Sequence, residues 1–341
     1  MQKSSEEIRK NVYLTNVYYT KLQNKTKELY FSYLDKNKSY DDFEKELSKI
    51  WDNIDHSFMD KQIDKLEKMV NSNNVEEAIN LGRLDGSYKN TEYWVIDEEY
   101  FKLTPESQFK KLEQRFKQNV LNQYKLAKKT IKNVDKDTYL EKRIDTYNKS
   151  INNVITYFNR ENKIARKVQM STYLAMLHNV DLTRAGWNQT MSDSHKLDND
   201  LFIIPYHPFS CLYCSEYQNR VLTRQQVEQI IGVEAVEQTG DILHPNCKCT
   251  LSLFWDSTQI SQEIKSSSEI ENEYAIRQKV NGLTLERSNL RTDMKIANSL
   301  GNQEKVDQIK ARISVINRNI RELRNQLPTE DLQKQVVAIN R

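Results

Sequence analysis

Two hydrophobic seams near the end of the chain constrain its fold more than any other feature. Ile276, Val280, Leu283, Arg287, Leu290, Met294 and Ala297 recur at alternating steps of 4 and 3. After Leu300-Gly301-Asn302 the rhythm resumes in Val306, Ile309, Ile313, Ile316, Ile320, Leu323 and Leu327. Such steps draw one apolar line along an α-helix, and two lines of similar length can cover each other. A short Gly-Asn connection forces the two helices antiparallel. Residues 270–327 are therefore predicted to form an αα-hairpin folded at Gly301. Its outer faces carry Arg, Lys, Glu, Asn and Gln, and Pro328 stops the second helix.

The rest of the chain shares the bias to helix. Seven glycines in 341 residues are too few for the turns of an all-β or doubly wound fold. Residues 1–104 are expected to hold several helices. Phe43, Leu47, Ile50 and Trp51 make one stripe after a polar start at Ser39. Ile63, Leu66, Met69 and Val70 make another, which Asn71-Ser72-Asn73-Asn74 should break. Tyr93-Trp94-Val95-Ile96 suits a short strand, and Thr104-Pro105 an N-cap followed by proline at the first helical position. No glycine or proline interrupts 106–185, so residues 105–187 read as a long-helix region with a break near 133–137 and a stop near Gly186. Phe109, Leu112, Phe116 and Val120 mark its first stripe. Ile144, Tyr147, Ile151, Val154, Ile155 and Phe158 mark its second.

Between 188 and 260 the helical rhythm fades. Leu201-Phe202-Ile203-Ile204 and Leu251-Ser252-Leu253-Phe254-Trp255 read as strands. Thr223 should cap a short helix running to about 236. This α+β module holds all four cysteines. Cys211 and Cys214 are spaced so that one turn presents both sulfurs to one ion, and His244, Cys247 and Cys249 follow around the Pro245-Asn246 corner. Two close clusters of soft ligands suit a structural, tetrahedral zinc. The five candidates are Cys211, Cys214, His244, Cys247 and Cys249, with His244 and Cys249 competing for the fourth place. His207 lies in the same stretch. The predicted fold class is thus mainly α: a long helical N-terminal region, a small zinc-stapled α+β module at 188–260, a C-terminal antiparallel hairpin at 270–327, and a tail at 328–341.

The residues argue against catalysis. No His is followed by x-Glu, as a zinc deaminase requires, and no His-Glu-x-x-His or phosphate-binding Gly-rich loop occurs. Ser192, Ser194 and His195 lie close together but lack an identifiable third partner. A net charge of +3, from 51 basic and 48 acidic residues, gives no global case for nucleic acid. The basic segment Lys125–Lys132 reads as a solvated helix face. The N-terminus has no apolar core of a signal peptide, and no run approaches a membrane span. Synthesis in the cytosol is expected, where a close cysteine pair is read as a metal or redox site rather than a structural disulfide, and no βαβ pattern surrounds it to suit an oxidoreductase.

One stretch resembles a known family. His207-Pro208-Phe209-Ser210-Cys211-Leu212-Tyr213-Cys214, then Tyr217-Gln218-Asn219-Arg220-Val221, then Gly240-Asp241-Ile242-Leu243-His244-Pro245-Asn246-Cys247-Lys248-Cys249 follow the motif order of phage minor capsid protein 2, related in role to the Mu F and SPP1-type head morphogenesis proteins. Tyr274, Arg277-Gln278, Leu285-Glu286-Arg287 and Ala297-Asn298-Ser299-Leu300-Gly301-Asn302 extend the resemblance, which covers about residues 165–327. Cys249 stands where that family often has His.

The resemblance implies a structural virion protein made in the bacterial host cytoplasm. It would be portal-associated in the phage head, with portal and capsid proteins and packaged DNA as partners and no small-molecule substrate, acting in head assembly or DNA delivery. Two alternatives compete. One is a zinc-module DNA-binding protein. The other is an ADP-ribosyltransferase-like head enzyme, for which Arg166, Ser171-Thr172 and Glu271-Asn272-Glu273 supply an incomplete motif.

Overall fold

The computed structural model describes residues 2–84, 100–132, 134–147, 151, 155–159, 164–207, 212–231, 249–260 and 265–327. The expected strand at 93–96 lies outside them. The fold is mostly helical. Three helices open it: α1 (Gln2–Asp35), α2 (Tyr40–Trp51) and α3 (Ser57–Asn80). Ser39 starts α2 as expected, its side chain accepting from Asp42 N, and Phe43, Leu47 and Trp51 are buried on one stripe. Helix α3 does not break at the asparagines. Asn71 and Asn74 are buried, and both donate to the Asp193 carboxylate, at 2.9 and 2.8 Å. Their amides serve a tertiary partner, so they do not compete with the backbone of their own helix.

Helices α4 (Glu106–Ile131) and α5 (Lys136–Tyr147) follow. Pro105, and not Thr104, is the N-cap of α4, so the helix starts one residue later than the sequence suggests. Phe109, Phe116 and Val120 are buried along α4, while Lys125, Lys129 and Lys132 are exposed on it. The break near 133–137 is real, with Thr138 N donating to Asp135 at 2.9 Å at the start of α5.

The second stripe of 105–187 is corrected. Helix α5 ends at Tyr147, and an antiparallel ribbon takes over: β1 (Ile155–Asn159) pairs with β2 (Ile164–Val168), Ile155 opposite Val168. The run Ile155-Thr156-Tyr157-Phe158 consists of β-branched and aromatic residues, which suit a pleated surface better than a helix. Helix α6 (Met170–Lys196) then runs straight through Gly186. A Cβ at Gly186 would meet Leu66 Cδ2 at 3.7 Å and Val70 Cγ2 at 3.8 Å, so the glycine lies where α3 packs against α6.

Helix α6 is the centre of the molecule. It is buried along nearly its whole length, polar residues included: Asn179, Asp181, Thr183, Asn188, Gln189, Asp193 and Ser194. The main core joins Tyr30, Phe43, Trp51, Phe116, Tyr124 and Tyr147 with Met170 and Leu174 at the start of α6. The ring centroids of Phe43 and Tyr124 stack 3.9 Å apart.

The C-terminal hairpin is as predicted. Helices α9 (Ser267–Ser299) and α10 (Gln303–Asn325) pack against each other, joined through Gly301 at φ 73°. A Ser266–Glu269 capping box starts α9, and Asn302 accepts from Lys305 N to start α10. The hairpin is anchored at its turn end, where Ile296, Ala297, Val306 and Ile309 enter the main core. Away from it, Ile276, Val280, Ile316, Ile320 and Leu327 form a separate cluster. A buried ion pair between Lys27 and Asp293 ties α9 to α1.

Against the second half of α6 lies the small module. Strands β3 (Leu201–Ile203), β4 (Val221–Thr223) and β5 (Ser252–Leu253) form an antiparallel sheet in the order β4-β3-β5. Short helices α7 (Leu212–Ser215) and α8 (Arg224–Ile231) complete its described part. The expected Thr223 cap is present: Gln226 N meets Thr223 Oγ1 at 3.3 Å, and Thr223 N donates back to Gln226 Oε1 at 2.9 Å.

Candidate metal centre

Two segments converge just beyond the sheet. Phe202 pairs with Leu253 and Ile203 with Ser252. Past these last paired positions, His207 Nε2 lies 3.3 Å from Cys249 Sγ. On the β4 side, Ile204 bridges to Gln218, and Asn219 takes a left-handed φ of 58°. That turn brings Gln218 Nε2 to 3.8 Å from the same sulfur.

Cys249 is held firmly. Trp187 Nε1 of α6 donates to its carbonyl at 2.9 Å, and Thr190 Oγ1 donates to Leu251 O at 3.1 Å. Cys214 enters from α7. Both cysteines are 1% exposed and share one apolar cluster with Trp187, Met191, Phe202 and Leu253. They are not joined in a disulfide. Of the five ligand candidates, the structure thus brings Cys214 and Cys249 into one cluster. Cys211, His244 and Cys247 lie outside the described residues. Among the described residues, no group of three or more His, Cys, Asp or Glu side chains is close enough to hold a metal. The surroundings of Cys249 nonetheless suit a soft cation: a buried sulfur, an imidazole nitrogen beside it and an amide donor outside.

His207 is the residue that spacing alone does not find. It stands 42 positions before Cys249, and only the tertiary fold sets them side by side.

The Ser192-Ser194-His195 group serves docking. Arg224, at the start of α8, donates through Nη2 to Ser194 Oγ and through Nη1 to Tyr100 Oη at 3.0 Å, and pairs with Asp200 at 2.9 Å. Ser194 Oγ donates to Met191 O at 2.7 Å, and His195 Nε2 meets Tyr100 Oη at 2.7 Å. These bonds fasten the module to α6. Of the ADP-ribosyltransferase elements, Arg166 lies on β2, but Ser171 and Thr172 lie at the start of α6 rather than on a strand, and Glu271 and Glu273 lie in α9.

Two carboxylates are buried in α6. Burial holds Asp181 up at about 6 against the hydrogen bond from Thr104 N at 2.8 Å. Burial also raises Asp193, opposed by its bonds from Asn74, Asn71 and Gln189. Both sit in closed hydrogen-bond arrangements that position helices. No helix among the described residues is long and apolar enough to cross a membrane.

Fold and site together define a mostly helical protein with a small, cysteine-bearing sheet module and an anchored helical hairpin. A family model described as phage minor capsid protein 2 matches residues 139–325, more than half of the chain. The chain belongs to that family, and its role is that of a structural phage protein. Nothing among curated proteins or solved structures matches it.

Proposed function

We propose that this chain is a minor head protein of a tailed phage, associated with the portal and acting in head assembly or DNA delivery. The observation that carries the reading is the extent of the family match. It spans the ribbon, the central helix, the cysteine module and both hairpin helices. The architecture supports it. The hairpin is rooted in the main core at its turn, its seam around Ile276, Val280, Ile316 and Ile320 forms a cluster of its own, and Tyr274 packs its other end against the sheet module. Its outer faces offer a long polar surface to portal and capsid subunits. A structural zinc in the 188–260 module is part of the proposal, since the module is too small to rely on its apolar cluster alone.

Quantitative mass spectrometry of purified virions, with this chain measured against the portal protein, tests the reading. A fixed, low ratio to portal is expected. Presence only in infected-cell lysate would sink the head assignment. Elemental analysis of the chain purified without chelator tests the metal, with about one zinc per chain expected.

A further inference from the structure

We infer that His207 is the imidazole ligand of the zinc and binds it together with Cys249. The inference rests on the proposed zinc and names a residue that cysteine spacing did not supply. Ligands on one tetrahedral zinc, with sulfur at about 2.3 Å and nitrogen at about 2.0 Å, stand about 3.5 Å apart. The His207 Nε2 to Cys249 Sγ separation of 3.3 Å is close to that edge of the tetrahedron. The β3–β5 pairing ends at Ile203 and Ser252, and both residues lie in the segments that leave it at that same end.

The surroundings fit a metal-bound thiolate. Cys249 is 1% exposed, among Trp187, Phe202, Leu251 and Leu253. A thiolate in such a place is costly unless a cation neutralises it. Gln218 Nε2, at 3.8 Å from the sulfur, can donate to that thiolate from outside the metal's ligand sphere. Trp187 Nε1 fixes the Cys249 backbone, so the sulfur position is set by the central helix. His207 is partly exposed, which gives the ion a path in from solvent. The bare alternative is a thiol–imidazole hydrogen bond with no metal.

The full-length protein decides between them, with zinc affinity measured by chelator competition and cobalt(II) as the spectroscopic probe. His207→Ala is expected to weaken zinc binding by at least about tenfold, while His244→Ala stays within about threefold of wild type. His207→Cys is expected to keep one metal per chain and to shift the cobalt spectrum toward an all-sulfur site. If His207→Ala is too unstable to assay, the His207→Cys spectrum carries the test alone. Zinc bound by wild type, with unchanged affinity in His207→Ala or an unchanged cobalt spectrum in His207→Cys, overturns the role of His207 and leaves the zinc in place. Wild-type protein that takes up no zinc overturns both, and leaves the His207–Cys249 contact as a hydrogen bond.

Discussion

His56 shows how one residue can set the pH response of the helical region. It lies between α2 and α3 and is buried, with Nε2 2.9 Å from Glu113 Oε1 and Nδ1 3.3 Å from Glu106. Tyr19 Oη donates to the same Glu113 oxygen at 2.7 Å. The Glu113 hydrogen bond raises the His56 pKa, burial opposes it, and the Glu113 and Glu106 charges add to the rise against Lys110. A raised histidine stabilises the fold fully below its unfolded value of about 6.5, and that contribution is lost as pH rises through the folded value. Urea melts between about pH 6 and about pH 9 should show stability falling with pH, with a shallower fall in His56→Gln; equal slopes would remove the role. His178 acts in the opposite direction. Burial lowers it to about 4, so its neutral form is held and stability is lost as pH falls below about 6.5.

Two glycines respond oppositely for backbone reasons. Gly186→Ala should stabilise by about 0.5–1 kcal/mol, since it is helical and the new methyl meets Leu66 and Val70 at ordinary contact distance. Gly301→Ala should destabilise by about 1 kcal/mol, because φ 73° disfavours a side chain although the space is open. Chemical denaturation of both variants checks the signs.

At the scale of elements, the hairpin depends on its seam. Ile316 is 1% exposed and packs with Ile276, Val280 and Ile320, while its neighbour Val315 is 37% exposed. Ile316→Asp should cost about 3–5 kcal/mol through a buried, unpaired charge, whereas Val315→Asp should cost under about 1 kcal/mol. Equal melting of the two variants would show that the seam is not buried in solution. The hairpin's tie to α1 is the Lys27–Asp293 pair, with Lys27 Nζ 5.1 Å from the Tyr147 ring centroid. Removing one partner strands the other, so Lys27→Met alone should cost about 3–5 kcal/mol. The double variant Lys27→Met with Asp293→Leu should recover most of that loss, and a double-mutant cycle measures the coupling.

At the scale of the molecule, α6 links everything. Its first half enters the main core through Met170 and Leu174, and its second half holds the sheet module through Trp187, Thr190 and Ser194. If zinc is bound as proposed, chelation should speed amide exchange in residues 200–255 and leave α1, α2 and α4 protected. Uniform loss of protection would instead mean that module and bundle unfold as one unit.

The sequence by itself determined what repeats along one element. The 4-3 spacing of 276–297 and 306–327, the turn at Gly301, the caps at Ser39 and Thr223, and the apolar runs of β3 and β5 were all legible, because each depends on neighbours within a few residues. The tertiary structure decided what depends on distant partners. Asn71 and Asn74 read as helix breakers until Asp193 accepts from them. Gly186 read as a stop until α3 packs against it. The stripe after Ile144 became a ribbon because β-branched and aromatic residues found a cross-strand partner. The proximity of His207 and Cys249 requires β3 and β5, about fifty residues apart, to come together, which no local pattern encodes.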